Sequence, residues 1–260
     1  MPEALPIFPL NTVLFPGMSI PLHIFEQRYT NLVSELLGPT LTGGDSGGRG
    51  RGPARFGVVW IELGHEVASE SGQGAAGADT GVPHTRSESR DPSLPLVSTI
   101  GCTAVVRDVR TYEDGRYDLV VEGGTRFRIT ELSKVDPSSR DGYSTASVSL
   151  LPEPLGPDAK EHAERVRDLY GVYLGRLSEI GMALETSHDL PGDPIGLSHA
   201  AAAAVVLDPV EKQRLLEAKD AAVRLALLSR FLRRENRIVA APTLPNLPAG
   251  PFLDNGVSFN

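Results

Sequence analysis

The sequence predicts an α+β fold in which a mostly antiparallel β unit is followed by a helical bundle. Short runs of β-branched and aromatic residues, separated by turn residues, occupy residues 1–151. A proline-rich break follows at 152–157, and apolar residues then recur at helical spacing to about residue 237. We therefore expect a β unit over 1–151, a helical bundle over 152–239 and a Pro-rich tail over 240–260.

Two extended segments open the β unit, at Leu5–Leu10 and Ile20–Phe25, and a Phe15-Pro16-Gly17 turn lies between them. Over residues 26–37 the apolar side chains recur at helical spacing instead. This change of period predicts a helix, and Gly38-Pro39 is a typical helix end.

More strands are expected after this helix. Asp114-Gly115 supplies the positive φ of a hairpin turn, and Gly123-Gly124 allows a bend between two strands. Two stretches near 41–54 and 64–95 are too poor in apolar residues to order themselves, so we interpret them as disordered insertions. The predicted strands run over residues 55–63, 98–109, 117–121, 125–132 and 143–151.

The helical part contains recognisable helix starts. Asp208-Pro209-Val210-Glu211 combines a capping aspartate, a proline at the first helical position and an early glutamate. Asp220 opens a long helix whose end carries the arginines of residues 230–237, where positive charge is favourable. Ser198 is interpreted as the cap of an Ala-rich helix that continues through Leu207.

Composition excludes several classes of protein. The net charge of −8 argues against broad binding to a phosphate backbone, so no nucleic-acid partner is expected. Cys102 is the single cysteine, which excludes an internal disulfide and a cysteine-based zinc site. No stretch approaches roughly 18 apolar residues, and the N-terminus lacks a basic signal-peptide region. We expect a cytoplasmic protein with no membrane association.

The sequence contains no recognisable catalytic motif. No lysine follows a glycine, which excludes a P-loop, and no two histidines have the spacing of a local zinc motif. Gly196–Ala200 resembles a nucleophile elbow only faintly, because alanine replaces the second glycine. His23 lies in an apolar strand and is interpreted as a structural histidine. We therefore assign no catalytic, cofactor-binding or metal-binding residues and predict that the protein is not an enzyme.

Several segments, in this order along the chain, resemble the Lon protease N-terminal substrate-binding domain. They begin near the N-terminus, include the predicted hairpin and the strand after it, and end in the last helices. The matching residues are Leu5–Leu10, Val13–Met18, Pro21–Tyr29, Asp114–Tyr117, Val121–Ile129, Asp208, Glu211–Glu217, Asp220 and Arg224-Leu225.

The resemblance implies a PUA-like β-barrel followed by a helical bundle. In full Lon proteases this domain helps to recognise unfolded substrates, while other domains supply ATP hydrolysis and a Ser-Lys peptidase. The motifs of those other domains are missing from this sequence. The resemblance therefore implies a stand-alone bacterial family member that binds polypeptide without cutting it.

Physical roles can be suggested for the residues that carry the resemblance. We expect Phe25 and Tyr29 to anchor the first helix, and Glu26 and Arg28 to pair with charges elsewhere. Gly123, Gly124 and Arg126 are expected to shape the bend before a core strand. An exposed apolar patch for extended polypeptide is also expected, but the sequence does not locate it.

Our leading hypothesis is a polypeptide-binding adaptor or holdase in protein quality control, with a protease or chaperone as a further partner. One alternative is RNA binding, because PUA-like barrels also occur in RNA-binding proteins. A second alternative is an unrecognised hydrolase that depends on His23 or Ser198. The sequence leaves the client, the oligomeric state and the role of residues 64–95 open.

Overall fold

The computed structural model describes residues 3–38, 54–61, 97–133, 142–182 and 190–240. Within these ranges the chain forms a mixed sheet and five helices, which confirms the α+β class. The expected insertions near 41–54 and 64–95 and the tail of 240–260 lie outside the described residues, apart from Ala54 and Ala240.

The element bounds follow the chain in order. The strands are β1 (Glu3–Leu10), β2 (Ser19–Ile24), β3 (Arg55–Trp60), β4 (Ile100–Thr111), β5 (Tyr117–Leu132) and β6 (Thr145–Leu150). The helices are α1 (Gln27–Leu37), α2 (Ala159–Glu179), α3 (Pro194–Ala204), α4 (Pro209–Glu217) and α5 (Ala221–Val239).

The sheet has the strand order β2-β5-β4-β3-β1-β6, and β6 also pairs with β5. The pairings of β5, β4, β3, β1 and β6 therefore close on themselves, and β2 lies outside this cycle on the first half of β5. The β1–β3 pair is parallel and the other pairs between named strands are antiparallel, as the sequence predicts.

The two strands expected on either side of Gly123-Gly124 are one strand, β5, so that prediction is wrong. The β4–β5 register shifts at this point, between Cys102 and Ala104, which indicates a β-bulge. A Cβ atom on Gly123 would lie 2.0 Å from the backbone oxygen of Phe15. The glycine is required because the turn after β1 passes directly over the strand.

Two of the three predicted helix caps are confirmed. Asp208 accepts a hydrogen bond from the N–H of Val210 at 3.0 Å, and Asp220 accepts one from Val223 at 2.8 Å. The assignment of Ser198 as a cap is wrong, because α3 begins four residues earlier with Asp193 as its N-cap. That helix also ends at Ala204 and not at Leu207.

Four of the helices, α2, α3, α4 and α5, pack together and contact the sheet. Their shared core is built from α2, α3, α4 and α5, and Val13, Phe15 and Ile100 of the sheet side belong to the same cluster. Two further clusters fill the space between the strands and beneath α1. The sheet and the helices are thus joined by a continuous apolar contact.

Candidate functional site

An open cavity of about 140 Å³ lies between the second half of β1, the end of β2 and the first turn of α1. Buried apolar side chains supply much of its lining. They are Phe8, Leu10, Leu22, Ile24 and Tyr29. The cavity is therefore an apolar depression in a part of the chain where three elements meet.

Aromatic packing fixes one wall of this cavity. The ring of Tyr29 in α1 lies 4.1 Å from the ring of Phe8 in β1, centroid to centroid, and Phe8 in turn contacts Phe56 of β3. Burial raises the pKa of the Tyr29 hydroxyl, so this ring is neutral and packs as an apolar group. The expectation that Tyr29 anchors the first helix is confirmed.

Phe25 does not anchor the helix, which corrects the expectation from the sequence. Its side chain is 44 % exposed and lies at the rim of the cavity. The reason is the period of β2, in which Ser19, Pro21 and His23 are exposed and Phe25 continues that outward series. An exposed phenylalanine beside an apolar cavity is typical of a binding surface.

The charged residues of the rim are paired locally. Arg28 lies 2.6 Å from the carboxylate of Glu26 and stacks over the Tyr29 ring at 4.6 Å. The expectation that Glu26 and Arg28 pair with charges elsewhere in the chain is therefore wrong. Two residues of one helix start neutralise each other, and the rim presents no net charge from this pair.

His23 belongs to a second polar group at the rim. Its Nδ1 atom lies 2.5 Å from one carboxylate oxygen of Asp118 in β5, and the Tyr112 hydroxyl donates to the other oxygen. The hydrogen bond from His23, and then that from Tyr112, lowers the pKa of Asp118. The sequence identified His23 but not its partner, because β2 and β5 are paired only in the folded sheet.

A buried ionic cluster joins the sheet to the helices at a different place. Arg126 of β5 and Arg224 of α5 are almost fully buried, and both bind the carboxylate of Glu153. Arg126 also donates to the backbone oxygens of Leu216 at 2.5 Å and Ala218 at 2.8 Å. The cluster therefore holds the end of α4 against the sheet.

Electrostatics keep the cluster ionised. Burial by itself raises the pKa of Glu153, but the contact with His199, the hydrogen bond from Arg126 and the charge of Arg224 outweigh it, giving a pKa of about 2. Burial and the neighbouring Arg126 lower the pKa of Arg224 to about 10. Nε2 of His199 lies 3.2 Å from Glu153, without the alignment of a hydrogen bond, and burial lowers its pKa.

This cluster explains two sequence candidates. Ser198 is buried and accepts a hydrogen bond from Arg224 at 2.8 Å while donating to the Ile195 carbonyl, so its hydroxyl proton is held by a backbone oxygen. Arg126 is a buried ionic anchor and not only a residue that shapes a bend. Glu153 was missed at the sequence level, because nothing in Pro152–Pro157 distinguishes a structural carboxylate from a loop residue.

The other candidate residues have structural surroundings. Cys102 is fully buried in β4 as predicted, and burial raises the pKa of its thiol to about 12.

Within the described ranges, no group of three or more His, Cys, Asp or Glu side chains is placed to hold a metal ion. In that same part of the chain, none of the helices has the length and apolar character to span a membrane. His65, His84 and His188 lie outside the described residues.

The chain is similar in sequence to curated Lon proteases. The chain is 27 % identical over 245 residues to Lon protease 2 of Myxococcus xanthus, and 92 % of this chain but 24 % of that protein is covered. It is 26 % identical over 245 residues to the Lon protease of Anaeromyxobacter dehalogenans, with 92 % and 24 % covered. The chain thus spans about a quarter of the length of these curated relatives.

Solved structures show the same fold. A Lon N-terminal domain protein from Xanthomonas campestris matches with a TM-score of 0.53 and 21 % identity, over 88 % of this chain and 98 % of that one. The N-terminal domain of Mycobacterium avium complex Lon protease matches with a TM-score of 0.55 and 17 % identity, over 89 % and 98 %. The family of the ATP-dependent protease La (LON) substrate-binding domain matches residues 4–234. The chain therefore belongs to the Lon substrate-binding domain family.

Proposed function

We propose that this chain is a polypeptide-binding module that acts as an adaptor or holdase and carries no catalytic activity of its own. The observation that carries the proposal is the apolar cavity between β1, β2 and α1, with Phe25 exposed at its rim. Family membership supports it, because the matching family is defined by a substrate-binding domain. The client is an unfolded or extended polypeptide in the cytoplasm.

The size of the cavity suits one side chain of a client. Its volume of about 140 Å³ is close to that of an engineered apolar protein cavity, about 150 Å³, that binds benzene. An aromatic ring or a branched aliphatic group of similar size would be buried against Phe8 and Tyr29, with Phe25 closing over it. Burial of a side chain of this size contributes about 2 kcal/mol.

The prolines in β1 and β2 argue against binding of a client as an added strand, and they favour recognition of the client through its side chains. Among the described residues, β2 pairs with β5 and with no other strand. Pro21 lies in the middle of β2, and Pro9 lies in the half of β1 that borders the cavity. Because proline has no N–H to donate, neither edge can form a continuous ladder with an added strand.

We also propose the finer architecture and domain division that the family implies. The closed cycle of pairings among β5, β4, β3, β1 and β6 supports a PUA-like barrel over 1–151. The mutual packing of α2, α3, α4 and α5 supports a helical bundle over 152–239. Limited proteolysis would test the boundary, because a protease that separates the two units must cut at the junction of 1–151 and 152–239.

The binding proposal is tested by fluorescence anisotropy with labelled extended peptides that contain a single phenylalanine. Phe25→Ala should weaken binding about tenfold, because it removes the exposed wall of the cavity. Val172→Ala is the matched control, since Val172 is a comparably exposed apolar residue on α2 and does not line the cavity.

Two outcomes count against the proposal. One is the absence of binding by the wild-type chain to these peptides and to a permanently unfolded protein at high micromolar concentration. The other is equal loss of affinity in Phe25→Ala and Val172→Ala, which would place the binding surface elsewhere.

A further inference from the structure

We propose that His23 is the polar recognition residue of the cavity, whose Nε2 atom accepts a hydrogen bond from a main-chain N–H of the bound polypeptide. This inference rests on the proposed function and adds a specificity-determining residue to it. His23 lines the cavity, and its ring lies 6.0 Å from the Phe25 ring at an interplanar angle of 29°. His23 therefore borders the cavity in which the client side chain is proposed to bind.

The neighbours of His23 decide which ring nitrogen is available. An ionised carboxylate can only accept hydrogen bonds, so the contact of 2.5 Å between Nδ1 and Asp118 places the ring proton on Nδ1. In the tautomer that has its proton on Nδ1, the lone pair is on Nε2. Asp118 is itself fixed, because it lies opposite His23 in the β2–β5 register and the Tyr112 hydroxyl binds its second oxygen.

A client held in this cavity needs such an acceptor. The side chain that enters the cavity satisfies no hydrogen bond, while the main chain next to it loses water from its N–H groups. Glu26, another acceptor in the lining, is already engaged by Arg28 at 2.6 Å. The side chain of His23 is 42 % exposed, so a ligand in the cavity can approach its ring.

Two substitutions separate the two ring nitrogens. His23→Asn retains a donor near the position of Nδ1, for Asp118, and has no atom at the position of Nε2. His23→Gln places a polar atom near the Nε2 position. We expect His23→Asn to weaken binding of the phenylalanine peptide about five- to tenfold, and His23→Gln to restore affinity to within about threefold of wild type. Circular dichroism and thermal melting of both variants should match the wild type.

Peptides that are N-methylated at one amide at a time test the hydrogen bond directly. If His23 had only a structural role, its effect on affinity would not depend on any single N–H of the client. One methylation should weaken binding to the wild type about five- to tenfold and have no further effect on His23→Asn. Wild-type affinity in His23→Asn overturns the inference and leaves the proposed function standing. Equal weakening of both variants with no coupling to any methylation also overturns it. Failure of the wild type to bind any peptide overturns the proposed function and the inference together.

Discussion

At the scale of single residues, Glu153 is the carboxylate on which two buried arginines depend. Arg126 and Arg224 are 2 % and 0 % exposed, and a buried cation without a partner is strongly destabilising. Glu153 forms an ion pair with each of them, and further hydrogen bonds from the arginines go to backbone oxygens of α4 and to Ser198. The cluster is therefore a joint between sheet and helices, and its residues do not line the cavity between β1, β2 and α1.

The low pKa of Glu153 predicts a specific loss of stability in acid. Because its pKa in the folded chain, about 2, lies below the ordinary value of 4.5, its stabilising effect is present above pH 4.5 and is lost as the pH falls towards 2. Between pH 6 and pH 3 this loss is about 2 kcal/mol. Urea denaturation of wild type and Glu153→Gln across this range measures it, and the variant should lack this component.

Glu164→Gln is the matched control for that experiment. Glu164 is exposed on α2, so its substitution should leave the acid dependence of wild type unchanged. A wild type and a Glu153→Gln variant that lose stability in parallel on acidification would contradict the assignment of Glu153.

Residue 123 must be a glycine because the backbone of Phe15 lies close to it. Gly123→Ala would place a methyl group 2.0 Å from the Phe15 carbonyl oxygen. We expect it to lower the free energy of unfolding by about 2 kcal/mol or more, since the displaced atom belongs to the backbone. Gly175→Ala in α2, which meets open space, should be neutral or stabilising by up to about 1 kcal/mol. Equal effects of the two substitutions in thermal denaturation would refute this account.

At the scale of elements, the same Asp-Pro signal begins two helices. Asp193 and Asp208 each precede a proline, and each aspartate accepts a hydrogen bond from a backbone N–H of its helix. This signal correctly predicts the cap of α4, and the same signal at Asp193, not Ser198, marks the start of α3. Lys212 of α4 also donates to the Ala203 carbonyl at 2.9 Å, so the end of α3 is held by the next helix.

The corrected cap can be tested directly. Asp193→Ala should lower the free energy of unfolding by about 1 kcal/mol, because it removes the acceptor for the Gly196 N–H. Asp193→Asn should retain most of this stability, since asparagine is also a good N-cap. Urea denaturation measures both variants. Stability of Asp193→Ala equal to that of the wild type would contradict the cap.

At the scale of the whole molecule, the apolar core and the ionic cluster couple the sheet to the helices. Trp60 is the single tryptophan of the chain, and it packs from the end of β3 against the helical core. Its fluorescence therefore reports on the junction, while circular dichroism at 222 nm reports chiefly on the helices. We expect the two signals to give the same urea midpoint, as a cooperative structure requires.

Removing the ionic joint should shift both signals together. Arg126→Ala should cost about 3–5 kcal/mol, because it removes one partner of a buried ion pair. Arg128→Ala is the control, since Arg128 is exposed on the same strand. Separate midpoints for fluorescence and circular dichroism in the wild type would show that sheet and helices unfold independently.

Local patterns predicted much of the secondary structure. The helical period of residues 26–37, the Asp114-Gly115 hairpin and the caps at Asp208 and Asp220 all depend on near neighbours in the chain, and the structure confirms them. The cavity could not be placed in this way. It depends on β1, β2 and α1 meeting, and only strand period, applied one residue beyond β2, could have indicated that Phe25 is exposed.

The α+β class, the change from strands to helices along the chain and the resemblance to the Lon substrate-binding domain can be predicted from the sequence, because they depend on local periodicity and short motifs. The tertiary structure alone shows the contacts between residues that are far apart in the chain. It joined Arg126, Glu153 and Arg224, it gave His23 its partner Asp118, and it left Phe25 exposed at a cavity. Pairings between residues far apart in the chain are fixed by strand register and packing, which no local pattern encodes.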